Sequence, residues 1–337
     1  MKKFLTLSLL VFLVHQVSFA KIWRCNNNSG VSADFTTVQA AHDAASAGDT
    51  IHLEPSINSY GDLTMNKRLV IIGTGQFIVQ NPGIQFDPKA PYIGTVFISN
   101  SGANNSILMV RHAGNININS GVTGVTLTNC ASTDATGHTG CVSGQIIINN
   151  ADNIVIKNCW ATNIRFENNS NNIVITNNII GNTIFNDATS DGIIANNVIH
   201  AVAGGPCGNN DESPNNCVIG NNIFNTQQNA SFSNCNISNN IAPGTNLPAG
   251  SGNQINVDMS TVFVNNTGGF VDNVYQLKTG SPAIGAGGNG VDCGAFGGGS
   301  PFRLAVTPPI PSIYKMSLPA SPSGSSMTLT FSTKSNN

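Results

Sequence analysis

The chain has 337 residues, of which 9% are charged, and a formal net charge of −2. Ordinary domains carry about 25% charged residues, so the polar surface here must come from Asn, Ser, Thr and Gly. With no basic stripe, nucleic acid is excluded as a partner. Clear hydrophobic periodicity at low charge excludes a disordered chain.

Lys2 and Lys3 precede an apolar run from Phe4 to Val14, and Ser18-Phe19-Ala20 forms a small-x-small site. This is the pattern of a secretory signal over residues 1–20, and its apolar run is too short to span a membrane. The expected mature chain, from about Lys21, is therefore secreted or at the cell surface, or periplasmic, with no transmembrane anchor. A helix is expected over about 36–47. Thr36 and Gln39 have capping-box spacing, Phe35, Val38, Ala41 and Ala45 form the apolar stripe, and Gly48 stops it. Strands follow at Ile51-His52-Leu53 and Leu69–Ile72.

From Val125 a repeat takes over. The segments NADNIVIKNCWA, NSNNIVITNNII and ATSDGIIANNVI place Asn158, Asn177 and Asn196 nineteen residues apart. Ile156, Ile175 and Ile194 share one column, Trp160, Ile179 and Val198 a second, and Ile147, Phe166 and Phe185 a third. Each unit offers two apolar runs too short to bury a face alone, so units must stack. If each unit makes one turn, equivalent residues lie about 4.8 Å apart, and the crossover preference makes the coil right-handed. The expected fold is all-β, a right-handed single-stranded parallel β-helix (solenoid) over residues 21–300, with the helix as its N-terminal cap. The Asn columns are read as left-handed corners and as amide ladders between coils. The column mates of Trp160 make it core rather than a sugar platform.

Strand alternation puts Ile154 and Ile156 inside and Val155 outside. The outer column is then Thr126, Val155, Val174, Ile193, Val218 and Asn236, an apolar stripe that needs a cover or a partner. Residues 301–337, a Pro-rich linker and a short β tail, are the expected cover. Eight Cys in an exported chain permit disulfides. Cys207 with Cys217 and Cys130 with Cys141 would each close an insertion, whereas Cys217 and Cys235 fall in the column of Ile154 and Ile173. That column placement makes them buried thiols or a link between coils.

The run TTVQAAHDAASAGDTIHLEPSINSYGDLTMNKRLVIIGTG resembles the entry segment of the pectin-lyase-like, right-handed parallel β-helix superfamily. GSPAIGAGGNGVDCGAFGG, residues 280–298, resembles the closing coil of many such proteins. The resemblance implies the fold and leaves activity open, because this architecture carries lyases, hydrolases, adhesins and inert surface proteins. A lyase would need a basic residue and a cation such as Ca²⁺, or basic groups, to neutralise a uronate. A hydrolase would need two carboxylates about 5–9.5 Å apart. The Asn-Thr-Asp, Asp-Asp, Gly-His-Gly and Arg-Ile-Lys signatures of polygalacturonases do not occur.

Arg165, Asp187, Asp191 and His200 are the candidate catalytic residues. Their competing readings are ordinary: Arg165 pairs with Glu167, and Asp is a common corner residue. Asp211 and Glu212 are the candidate metal ligands, and no other cofactor is expected. The expectation is an exported glycan-binding or scaffold protein, possible ligands being polysaccharide or cell-surface glycan. The alternative is a divergent polysaccharide lyase or glycoside hydrolase.

Overall fold

The computed structural model describes residues 20–132, 144–182, 184–200, 214–226, 232–245, 247–264, 272–318 and 325–336. Residues 1–19, where a signal segment is expected, and most of both insertions, with Asp211 and Glu212, lie outside these residues. Among the described residues three parallel sheets hold ten, seven and six strands, and a two-stranded antiparallel hairpin stands apart. The chain visits the three sheets in rotation. Val155–Lys157, Trp160–Ala161 and Ile164–Glu167 belong to the ten-, seven- and six-stranded sheets, and Ile173–Thr176 returns to the first. Each circuit thus has three strands where two were expected, because the two-residue Trp160–Ala161 strand is too short to show alternation.

Stacking is in register. Val155 pairs with Val174, Val174 with Ile193, and Ile193 with Val218. Residues from all three sheets, including Ile156, Ile175, Cys159, Ala161, Ile148 and Phe166, form one buried core. The six-stranded sheet departs from the strict period. Ile147 pairs with Arg165, and Arg165 with Phe185, so Phe166 leaves the expected column and joins that of Ile148.

The paired asparagines divide two tasks expected of one column. Asn129, Asn158, Asn177, Asn196, Asn221 and Asn239 turn the corner from the ten- to the seven-stranded sheet at φ between 53° and 57°, a left-handed conformation that Asn tolerates. The next residue points inward and builds the ladder. Asn178 Nδ2 donates to Asn197 Oδ1 at 3.0 Å, Asn197 to Asn222 at 3.0 Å, Asn222 to Asn240 at 3.0 Å, and Asn240 to Asn253 at 3.1 Å. Each oxygen also accepts a backbone N–H, as Asn197 Oδ1 does from Asn178 at 2.9 Å. Buried amides left unpaired would cost about 1–3 kcal/mol each; here both ends are satisfied.

A second core lies outside the first. Trp160, Ile179, Val198 and Ile223 project from the seven-stranded sheet and are buried with Val262, Phe263, Tyr275, Ala295 and Phe302. Trp160 is core, as its column implied, yet what buries it is the returning chain, residues 257–264 and 272–306, together with Phe77, whose ring lies 4.9 Å from that of Trp160. That segment is held by the outward corner asparagines. Gly288 N–H donates to Asn221 Oδ1 at 2.9 Å, and Asn196 Nδ2 donates to Asp292 O at 3.2 Å. Asn177 Nδ2 reaches the carbonyls of Ala295 and Gly297, and Asn129 Nδ2 that of Thr307. Close approach requires Gly294, whose added Cβ would lie 2.6 Å from Ile223 Cδ1 at φ +86°.

The helix is shorter than expected, Val38–Ala44, and its cap is Thr37, whose Oγ1 accepts from Ala40 N–H at 3.3 Å. Gln39 bonds to Asp43 and to the Thr64 N–H instead of completing a capping box. Val38, Ala41 and His42 are its buried face. The tail hairpin, Ser312–Ser317 with Thr330–Lys334, does not cover the Val155 column. It is tied to the 83–86 loop through Phe86 N–H to Ile313 O, Ser312 Oγ to Ile84 O and Lys334 Nζ to Gly83 O. Ile193 and Val218 remain 45% and 48% exposed. Cys130 and Cys217 are free thiols, so neither insertion is closed through them; Cys141 and Cys207 lie outside the described residues. No helix among the described residues is long and apolar enough to cross a membrane.

Candidate functional face

Strand alternation in the six-stranded sheet sends one central residue of each of its first five strands outward. Down the stack these are Thr64, Phe97, Asn117, Ile147 and Arg165, set opposite one another by register. Consecutive members are therefore about 4.8 Å apart. Phe97 is 42% exposed although its neighbours Val96 and Ile98 are fully buried. An aromatic ring held out by a rigid strand is a stacking platform with little entropy left to lose. Asn117 adds an amide, with its Nδ2 donating to Val96 O at 3.2 Å.

Beside this column runs a second, in which Asn149 pairs with Glu167. Arg165 Nη2 meets Glu167 Oε2 at 3.2 Å, both side chains part-exposed. The pair joins a planar cationic donor group to a carboxylate acceptor on one surface. Because Phe166 pairs with Asn186, the next residue, Asp187, follows Glu167 in the next circuit. The face therefore presents an aromatic ring, amides, a guanidinium and two carboxylates in sequence.

Of the four candidate catalytic residues, this face brings together Arg165 and Asp187. Asp187 accepts from Asn168 N–H at 2.7 Å and from the Thr189 N–H and hydroxyl. These hydrogen bonds outweigh partial burial and hold its carboxyl below the ordinary value. Such a group is ionised at neutral pH and serves as a base, nucleophile or acceptor rather than as an acid. Asp191 sits at the corner leading into the ten-stranded sheet and accepts from Asn172 N–H at 2.7 Å. Asp152, two circuits earlier, accepts instead from the circuit that follows it, from Asn171 N–H at 2.9 Å. His200 is on the seven-stranded flank, with Nδ1 2.5 Å from Asn225 Nδ2 and its ring 6.4 Å from that of Tyr275. Neither Asp191 nor His200 joins the Arg165 face. No group of three or more His, Cys, Asp or Glu side chains gathers among the described residues.

Phe97 and Asn117 escape a reading by period alone. The insertion before Gln145 separates Asn117 from Ile147 by thirty residues, so their shared column is invisible until the strands are paired. Elsewhere a cleft of about 270 Å³ opens where the tail meets the early circuits, lined by His52, Phe86, Asp87, Pro308, Ile310 and Met316. Its wall is largely apolar, and Asp87 is engaged by Lys89 at 3.5 Å. Comparison of the chain with protein-family models, with curated proteins and with solved structures finds no match.

Proposed function

We propose that the chain is an exported right-handed parallel β-helix of the pectin-lyase-like type that binds glycan along the outer face of its six-stranded sheet. The observation that carries this reading is the exposed Phe97 ring in line with Asn117 and the Arg165–Glu167 pair. A pyranose offers an apolar face of C–H groups and an equatorial rim of hydroxyls. The ring suits the first, and the amide, guanidinium and carboxylate suit the second. In this reading the helix Val38–Ala44 caps the coil, residues 1–20 direct export, and the tail hairpin is an appendage. The apolar Val155 column supports a scaffold role beside glycan binding, through contact with a partner.

Turnover is a second reading, favoured by Glu167 and Asp187 in adjoining circuits. Their backbones are one strand spacing apart, about 4.8 Å, which places the two side chains within reach of the short carboxyl separation of a retaining glycosidase, about 5–5.5 Å. The two readings separate in one experiment. The protein is incubated with neutral and acidic polysaccharides, with and without Ca²⁺, and bound fraction, unsaturated products and new reducing ends are measured. Binding without product, weakened by Phe97→Ala, supports the first. Product formation abolished by Glu167→Gln supports the second. Neither binding nor product would overturn both.

A further inference from the structure

Two cysteines stand one above the other near the last strand of the ten-stranded sheet. Val218 pairs with Asn236, so the preceding residues, Cys217 and Cys235, are register partners. Cys217 N–H donates to Cys235 Sγ at 3.5 Å. In-register parallel neighbours have Cα atoms about 4.8 Å apart, inside the 4.4–6.8 Å range that a disulfide accepts. Below Cys217 the column holds Gly192, which contributes no side chain. Both sulfurs are thiols in this structure. Cys217 is buried and Cys235 half-buried, so only the latter meets solvent.

We propose that Cys217 and Cys235 are a modification site, a vertical thiol pair that a low-molecular-weight disulfide converts into an intramolecular staple between adjacent circuits. Cys235 attacks first. Its thiol is drawn down to about 7 chiefly by the Cys217 side-chain hydrogen bond, whereas the same bond and burial push Cys217 up. The Cys235 thiolate, having lost its proton, attacks one sulfur of the disulfide RSSR. That S–S bond breaks and one thiol leaves. Cys217 then loses its proton, attacks Cys235 Sγ in the mixed disulfide and expels the second thiol. The balance is two protein thiols and RSSR giving one protein disulfide and two RSH.

The molecule contains its own contrast. Cys130 and Cys159 are also register partners, since Trp160 N–H donates to Cys130 O at 2.9 Å. Each is 1% exposed, and their thiols donate to Leu108 O and Lys157 O at 3.2 Å. Burial pushes the Cys159 thiol up, and with both sulfurs buried an oxidant has no access to the pair.

The test uses the full chain, reduced, then exposed to oxidised glutathione at pH 7.5. After quenching with an alkylating reagent and digestion without reduction, peptides are mapped by mass spectrometry. The expected product links Cys217 to Cys235, with Cys130 and Cys159 alkylated only after unfolding. A link from Cys217 to Cys207, or Cys217 and Cys235 both recovered as thiols, overturns the proposal. Two variants check the order of attack. Cys217→Ser should stop at glutathione on Cys235, and Cys235→Ser should react about tenfold more slowly than wild type. Equal rates for the two variants would assign the first attack wrongly and overturn it too.

Discussion

Asn177 Nδ2 donates to the carbonyl oxygens of Ala295 and Gly297, at 3.0 and 2.7 Å. One side chain thus turns a corner of the coil and fastens a segment more than a hundred residues away in sequence. The two roles separate by substitution. Asn177→Gly keeps the left-handed backbone and takes the side-chain donor from the buried Gly297 carbonyl, while Ala295 O keeps the Phe302 N–H at 2.8 Å, a loss of about 1–3 kcal/mol. Asn177→Ala loses the same bonds and adds about 1–2 kcal/mol for the left-handed conformation. The expected order in chemical denaturation is wild type, Gly, then Ala. Equal stability of Gly and Ala would remove the corner role.

The inner ladder predicts a different outcome. Asn197→Leu removes the acceptor of Asn178 N–H and Nδ2 and the donor to Asn222 Oδ1. A destabilisation of about 3 kcal/mol or more is expected, since several buried groups lose partners at once. A change within ±0.5 kcal/mol, the range of ordinary surface substitutions, would contradict the ladder's role.

Two buried titrating groups act in opposite directions. Asp272 is fully buried, accepts from Asn81 Nδ2 at 3.0 Å and from Ala305 N–H, and burial raises its pKa to about 6 from 3.8. The folded state therefore holds its proton longer than the unfolded state. The resulting stability is full below pH 3.8 and lost as pH rises through about 6. His112 is also fully buried, with Nδ1 2.8 Å from Gly114 O, and burial lowers its pKa to about 4 from 6.5. Its contribution is full above pH 6.5 and lost as pH falls through about 4. Each term is on the order of 3 kcal/mol, so they largely cancel between pH 4 and 6. Asp272→Asn should gain stability as pH rises across that window, and His112→Asn should lose it. Parallel slopes in a thermal melt series would refute the assignment.

On the six-stranded face, Phe97→Ala should weaken glycan retention about tenfold or less, the value of one stacking contact. Its thermal midpoint should stay within 2–4 °C or so, because the ring is half in solvent. A paired control on the ten-stranded sheet is Ile193→Thr with Val218→Thr. It should leave glycan retention unchanged and lower the binding of an apolar-surface dye.

The inner aliphatic columns follow from the nineteen-residue spacing because burial on one face imposes strict alternation. The Val155 register follows for the same reason. Two features resisted. Ala161 pairs with Ile180, nineteen residues on, whereas Ile164 pairs with Ile184, twenty on. One residue added in a short turn shifts the outward column, and that column carries Arg165 and Phe97. Nor does the Gly-rich run from Gly285 to Gly299 alternate. It is held by backbone groups meeting asparagine side chains, a bonding pattern that no apolar spacing announces. Asp187 and Asp191 carried the residue types of chemistry, yet short polar side chains beside unpaired N–H groups are equally what a corner needs.

Repeat arrays generally tolerate gain or loss of a unit, since each touches only its neighbours. The returning segment changes that rule here. Its fastenings run from Asn221 through Asn196 and Asn177 to Asn129 as the chain passes from Gly288 to Thr307. They fix a span along the stack and so act as a ruler. A nineteen-residue unit duplicated between Asn177 and Asn196 would pair well with its neighbours and still leave the segment one circuit short. The number of circuits in this part of the molecule is therefore selected by the length of a glycine-rich strap rather than by the repeats it spans.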